Sequence, residues 1–590
     1  MKHIIQKYIK PYYHQMGTGF FIKFIGTIMD LCIPYILAYI IDTVIPRKQR
    51  DLVLWWGVSM LLCSVLALIF NIIANRMASR VARDVTRAVR HDLFSRIMYL
   101  SNRQTDYFTK PSLISRLTTD TYNLHQLIGT IQRLGVRAPI LLLGGTVITF
   151  TLDPVMALVL LAVMPVLAFI LIKVSKVSIP LFTGLQEAVD RFVRLVREDI
   201  AGIRVIKALS KTDYETEKFR SINQEVVSKE RKTGMVMAVI NPSMNILLNL
   251  GLVCVILAGA YRVNNGGSEV GKILAFTTYF TIILNAMMMI SRMFEIMSRA
   301  VASGGRIDKV LRTENDMEVL EAYTEAQTDA ETELDIEVDT EAEIVFEYVT
   351  FSYLKGGEAN ISDISFRIHK GETLGIIGEI GAGKSTIINL LMRMYDADKG
   401  RILIAGRDVR SYPAHELKQK FGVVFQNDTI FEDTITGNVT LGREMSEQEV
   451  QEALLYARAG DFVEGKEEKA EEALSIKGAN LSGGQKQRVL IARALADKPE
   501  ILILDDSSSA LDYKTDAALR KGIKEHFADT TLVIVAQRIS SIRNADHIMV
   551  LEDGRMIGYG THEELMEQCE IYREISSSQM GELNGEAAGA

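Results

Sequence analysis

Six apolar stretches long enough to cross a bilayer in the first half, and a glycine-rich phosphate-loop pattern between an apolar strand and a helix in the second, predict a multidomain membrane protein. The expected architecture is six transmembrane helices followed by an α/β P-loop domain. A third observation bears on the chemistry of the second half. Ile501-Leu-Ile-Leu-Asp505-Asp506 reads as a buried parallel strand that delivers an acid to its C-terminal tip, where ligands of α/β sheets bind. At 590 residues the chain exceeds a single core, and its net charge of −7 averages two unlike halves. No basic patch with interleaved aromatics points to nucleic acid. The expected division is a membrane domain over 1–320, an acidic linker over 321–342, a nucleotide domain over 343–580 and a flexible tail over 581–590.

The basic, aromatic stretch at 1–13 has no small-residue cleavage site and reads as an amphipathic helix at the membrane surface. The spans are expected near 17–41, 52–73, 135–152, 155–174, 244–261 and 273–294. Between the second and third, and between the fourth and fifth, run long helical arms rich in cations. Arg76, Arg80, Arg83, Arg87, Arg90 and Arg96 lie in the first, and Arg191, Arg194, Arg197, Arg204 and Lys207 in the second. That bias places the arms on the cytoplasmic side, against the weaker signal of Arg47, Lys48 and Arg50 in a short connection. Cys32, Cys63, Cys254 and Cys569 show no short paired spacing and read as free thiols.

Polar residues inside a span are costly and invite a functional reading. Asp30, Asn245 and Asn285 are candidates for a substrate path, with Asn249 beside them, while Arg292 and Glu295 are spaced to pair on one helix face. Met287, Met288, Met289, Met293 and Met297 would suit a wall that repacks around varied hydrophobic or amphipathic compounds. Lipid contact and helix packing are the plainer alternatives for most of these positions.

In the second half, Gly378, Gly381 and Gly383 allow backbone amides to turn toward phosphates at a helix start. Lys384 should reach the β- and γ-phosphates of ATP, and the Ser385 hydroxyl, followed by Thr386, should meet Mg²⁺ together with Asp505. This full pattern is specific for a nucleoside triphosphate.

Leu481-Ser482-Gly483-Gly484-Gln485 matches the ABC signature without a change. With Gln426 after an apolar strand, and Ser509-Ala510-Leu511-Asp512, it completes the ordered motif set of ABC ATPases. In the arms, Leu113-Ile-Ser115-Arg116-Leu117-Thr-Thr-Asp120 and Glu198-Asp-Ile-Ala-Gly202-Ile-Arg204-Val-Ile-Lys207-Ala resemble segments of ABC exporters. The chain thus resembles an ABC exporter half-transporter over nearly its whole length. The resemblance implies coupling helices at the tips of the arms, expected near 119–123 and 182–186, and an adenine-stacking role for Tyr353. It also implies two nucleotide domains closing head to tail, so that Ser482, Gly483, Gly484 and Gln485 serve ATP held by the other subunit. Gln426 would then touch both Mg²⁺ and the catalytic centre.

Two residues depart from that pattern in one place. The family's usual catalytic Glu is Asp506, and its switch His is Gln537. A carboxylate shorter by one methylene and an amide that cannot be protonated both weaken the alignment on which phosphoryl transfer rests. A lesser departure is Ser475-Ile476, where exporters usually carry Gly-Glu. The pattern resembles the degenerate-site subunit of heterodimeric bacterial multidrug exporters. Its expected partner is a second half-transporter with the catalytic Glu and switch His, in the cell membrane with both nucleotide domains in the cytoplasm. Two alternatives stay open: a nucleotide-gated or regulatory membrane protein in which hydrolysis is incidental, and a slow homodimeric exporter.

Overall fold

The computed structural model describes residues 1–317, 342–354, 356–507 and 510–587; some side chains between 167 and 295, and those beyond Gln579, fall outside the description. The linker expected at 321–342 therefore lies outside the described residues except for Ala342. The chain forms two compact units, one of residues 1–99 and 109–313, the other of 100–108 and 314–590.

The membrane unit is built on six long helices: α1 (Tyr13–Tyr39), α2 (Arg50–Met98), α4 (Thr121–Leu152), α5 (Pro154–Ala201), α6 (Thr212–Asn264) and α7 (Val270–Leu311). A short helix, α3 (Asn102–Phe108), follows α2. Each expected span falls on one long helix. Among the described residues, four helices are long and apolar enough to cross a membrane, and 154–166 and 249–264 are shorter apolar helices. At 49 residues, α2 runs about 70 Å, more than twice the ~30 Å hydrocarbon layer, so its apolar half continues as a polar arm.

Small residues set the packing of α1 on α2. Ala67, Ala74, Ala78 and Ala82 are buried along one stripe of α2, and a Cβ at Gly26 would stand 3.1 Å from Phe70 Cβ. Asp153 and Pro154 separate α4 from α5: the Asp153 carboxylate accepts from the Val155 and Met156 amides, and Pro154 supplies a first turn that needs no N–H.

The tips of the arms differ from expectation. The segment between the first two arm helices that groups with the nucleotide unit is α3, not 119–123. Asp120 is instead buried in the membrane unit, where it pairs with Arg306 at 2.5 Å, and Asn123 donates to Ser303. Residues 182–186 lie inside the unbroken α5; the break falls at Gly202, before the short helix Ile203–Ala208.

The nucleotide unit holds two sheets. β1 (Ala342–Phe351), β2 (Ile361–His369), β4 (Lys399–Ile404) and β5 (Arg407–Asp408) form an antiparallel sheet in the order β2-β1-β4-β5. The second runs β10-β9-β3-β8-β7-β6, from β3 (Thr373–Gly378), β6 (Phe421–Val424), β7 (Ile501–Asp505), β8 (Thr531–Val535), β9 (His547–Glu552) and β10 (Arg555–Gly560). Its interior pairs are parallel, and β10 joins antiparallel at the edge. All five residues of β7 are buried, as expected of a strand covered on both faces. The phosphate-loop helix α8 (Lys384–Leu391) inserts Ile387, Ile388, Leu390 and Leu391 into a core shared with Phe346, Phe366 and Ile376, which joins the two sheets. The C-terminal helix, Glu570–Ala587, continues through most of the segment expected as a flexible tail. Tyr572, fully buried, anchors it, and no proline interrupts it.

Candidate functional site

β3 ends at Gly378, and three glycines with positive φ bend the chain into α8: Gly381 at 95°, Gly383 at 99° and Gly378 at 159°. Neither Gly378 nor Gly383 leaves room for a side chain: a Cβ would lie 2.1 Å from the Leu551 carbonyl oxygen at the first, and 2.7 Å from Ile361 Cγ2 in a left-handed backbone at the second. The Lys384 ammonium folds back on the loop and donates to the carbonyls of Gly378 and Glu379, each at 2.7 Å. Ser385 Oγ donates to Asp505 Oδ2 at 3.3 Å. Parallel pairing of β7 with β8 sets Asp505 beside Val535, so the acid at one strand tip and the switch loop after the other are neighbours.

A cavity of about 210 Å³ collects these parts. Gly381, Gly383, Lys384, Ser385, Thr386, Gln426, Asp505, Asp506 and Gln537 all line it. Burial, with Asp506 alongside, pushes the Asp505 carboxyl up, while Ser385 and Lys384 oppose that shift. Burial also raises Asp506 and lowers Lys384. A buried acid beside a hydroxyl, with a lysine close by, has the donor set and the unmet negative charge that a hard divalent cation satisfies.

Asp506 takes a left-handed backbone, φ 50°, which Asp tolerates better than most residues. Its Oδ2 accepts from both amides in the cavity, Gln537 Nε2 at 2.7 Å and Gln426 Nε2 at 3.3 Å. Three polar groups picked out in the sequence therefore meet at one oxygen.

Tyr353 is 37 % exposed, and its hydroxyl accepts from Asn389 Nδ2 at 3.2 Å and lies 3.3 Å from Thr386 Oγ1. Tyr395 meets it edge-on, with ring centroids 5.1 Å apart. The Tyr395 hydroxyl in turn donates to Asp106 Oδ2 on α3 at 2.7 Å, a link absent from the sequence reading.

The signature opens α9 (Gly483–Leu495). Ser482 caps it in a capping box: Ser482 Oγ accepts from the Gln485 amide, and Gln485 Oε1 accepts from the Ser482 amide. Leu481 is buried as an anchor, and Ser482 and Gly483 stand exposed. A Cβ at Gly484 would approach the Ala510 carbonyl to 3.2 Å, so the helix start packs on the segment after β7. Farther along α9, Arg493 is 8 % exposed and ties the helix to the loop after Gln426: it donates to Asn438 and Thr429 and lies 3.5 Å from Asp428. An arginine in the apolar run Val489 to Leu495 is the sequence signal for that tie.

In the membrane unit Asp30 is half-buried between Arg137 Nη2 at 3.1 Å and Asn71 Nδ2 at 3.4 Å, whereas Asn245 and Asn285 lie exposed on α6 and α7. The side chain of Glu295, expected to pair with Arg292, lies outside the described residues.

Comparison with known proteins agrees with this geometry. The family described as "ABC transporter transmembrane region" matches residues 16–287, and that described as "ABC transporter" matches 361–509. The Bacillus subtilis protein named "Uncharacterized ABC transporter ATP-binding protein YfiB" is 32% identical over 98% of this chain and 99% of its own length. The Mycobacterium tuberculosis protein named "Uncharacterized ABC transporter ATP-binding protein Rv1273c" is 30% identical over 98% of each. The solved "Structure of a bacterial Atm1-family ABC exporter with ATP bound" superposes with a TM-score of 0.78 at 22% identity, over 96% of this chain and 98% of that one. The chain belongs to the ABC transporter family, with an exporter-type transmembrane domain and an ATP-binding domain fused in one polypeptide.

Proposed function

We propose that this ABC exporter subunit moves hydrophobic or amphipathic compounds outward across a bacterial cell membrane, as the unequal half of a heterodimer whose partner carries the catalytic Glu and switch His. The observation that carries the reading is the state of Asp506. Its Oδ2 is shared by two glutamine amides at 2.7 and 3.3 Å, so the shortened carboxylate is held by its neighbours and withdrawn from the place a longer side chain would reach.

In this reading Lys384 leaves the Gly378 and Glu379 carbonyls for the phosphates of ATP, and Tyr353 stacks on the base. Ser385, Asp505 and Gln426 hold Mg²⁺, which neutralises phosphate charge when bound. Gln537 donates a hydrogen bond to the terminal phosphate but stays uncharged at every pH. This site then retains ATP with slow turnover. The exposed Ser482 and Gly483 at a helix start complete the partner's site, where a hydroxyl and aligned amides favour an anion.

The test is vectorial. Inside-out vesicles containing this chain and its partner should accumulate an amphipathic dye only with ATP. Passive, ATP-gated flux in both directions would instead establish the nucleotide-gated alternative.

A further inference from the structure

The first and third long helices bring an uneven set of charges together inside the membrane unit. Lys23 on α1 is 2 % exposed, and its ammonium donates to Asn75 Oδ1 of α2 at 3.0 Å. Arg137, Arg133 and Asp30 all lie within electrostatic reach of it. Asp30 is already paired with Arg137. Three cations therefore face one carboxylate. Lys23 and Arg137 fall within the expected spans 17–41 and 135–152, each near the first residue of its span.

A lysine at a membrane boundary ordinarily snorkels, keeping its ammonium in water. Lys23 does the opposite. Unbalanced buried charge is expensive, and it persists where a counter-charge completes it. One polar atom points to the missing partner: the Arg137 Nε donor is buried without a hydrogen bond. The cluster is also open on one side, since Arg133 is exposed and Arg137 is 35% exposed. Along the same stripe of α4, at helical spacing, follow Ile140, Leu143 and Val147, the last two each 63% exposed. Cations at one end and an apolar stripe at the other match a molecule with an anionic head and a hydrocarbon tail.

We infer that Lys23, Arg133 and Arg137 form an intramembrane site for the carboxylate or phosphate head of an anionic amphiphile, with Asp30 orienting Arg137 and the stripe through Leu143 and Val147 receiving the tail. The inference rests on the exporter reading above and narrows its substrate class. Lipid headgroups and exported amphiphiles share this chemistry, and the experiment separates them.

The chain and its partner are reconstituted into phosphatidylcholine vesicles and challenged with decyl phosphate, decyltrimethylammonium and uncharged decyl glycerol. ATPase stimulation and ATP-driven uptake are read. Decyl phosphate should act at a concentration at least about tenfold lower than the cation. Arg133→Gln, an exposed position, and the charge-balanced pair Asp30→Asn with Arg137→Gln should each raise its half-maximal concentration about tenfold, about the loss of one charge-assisted hydrogen bond. Neither should move that of decyl glycerol. Competition from added phosphatidylglycerol would support the site with a lipid headgroup as its source; uptake undiminished by that lipid would support it with the amphiphile as cargo. Equal potency of phosphate and ammonium probes, or no shift in either variant, overturns the inference while leaving the exporter reading intact. Should no probe accumulate, the exporter reading fails, and calorimetric binding of decyl phosphate to the solubilised pair, weakened or not by Arg133→Gln, decides the site by itself.

Discussion

Replacing Asp506 by Glu tests the proposed degenerate site directly. The added methylene advances the carboxylate by about 1.5 Å, the length of one carbon–carbon bond. Asp506 Oδ2 stands 2.7 Å from Gln537 Nε2 and 3.3 Å from Gln426 Nε2, so the longer side chain must leave that shared position and extend farther into the cavity. A misplacement near 1 Å costs about 10²-fold in an aligned reaction, or about 2.7 kcal/mol of barrier. Gln537 remains uncharged, so part of that loss persists in the single variant. D506E should therefore raise turnover at this site about tenfold, and D506E with Q537H toward 10²-fold. The assay is phosphate release from the pair in which the partner's catalytic Glu has been replaced by Gln, leaving only this site to report. An unchanged or lower rate in D506E would refute the argument from side-chain length.

Three further outcomes follow from other parts of the chain. Loss of the Tyr395 hydroxyl in Y395F removes the 2.7 Å bond to Asp106 on α3, so substrate stimulation of ATPase should fall several-fold while nucleotide affinity is retained. Y353A should weaken ATP binding about tenfold in a fluorescent-nucleotide titration, in line with the ~1–3 kcal/mol of one aromatic–base stack. Burial and the neighbouring Arg393 lower Lys418 to about 8 from 10.5. Between those values the unfolded chain binds the extra proton, so stability rises as pH climbs from about 8 and levels off above 10.5. The unfolding midpoint of the nucleotide domain should rise across that window and stay flatter in K418M.

Much of the nucleotide domain was legible because its motifs are local. Gly378 to Thr386 turn within one strand–loop–helix, and the Ile501 to Asp505 run is apolar on both faces, which only a covered strand allows. The arm tips were less legible. Periodicity shows that 76–123 is helical but not where the helix stops, and the docking of α3 depends on Tyr395, almost three hundred residues away in sequence. Arg493 and Lys23 were missed for a related reason. Each lies in an apolar run that fixes its burial, yet its partners come from other elements, Asn438 and Asp428 for one and Asn75 for the other. A charge within an apolar run was the available signal. Asp30 was picked out by that rule, and the same rule applied to Lys23 and Arg137 leads to the cationic site.

The central claim is that this chain is one unequal half of a machine, and its most direct test compares steady-state ATPase of the purified chain alone with that of the chain and its partner together, in the same lipid. The account predicts that the chain alone turns over at least about tenfold more slowly than the pair, and that Asp506→Ala leaves most of the pair's activity in place. Comparable rates for the chain alone and the pair, with Asp506→Ala abolishing both, would contradict it.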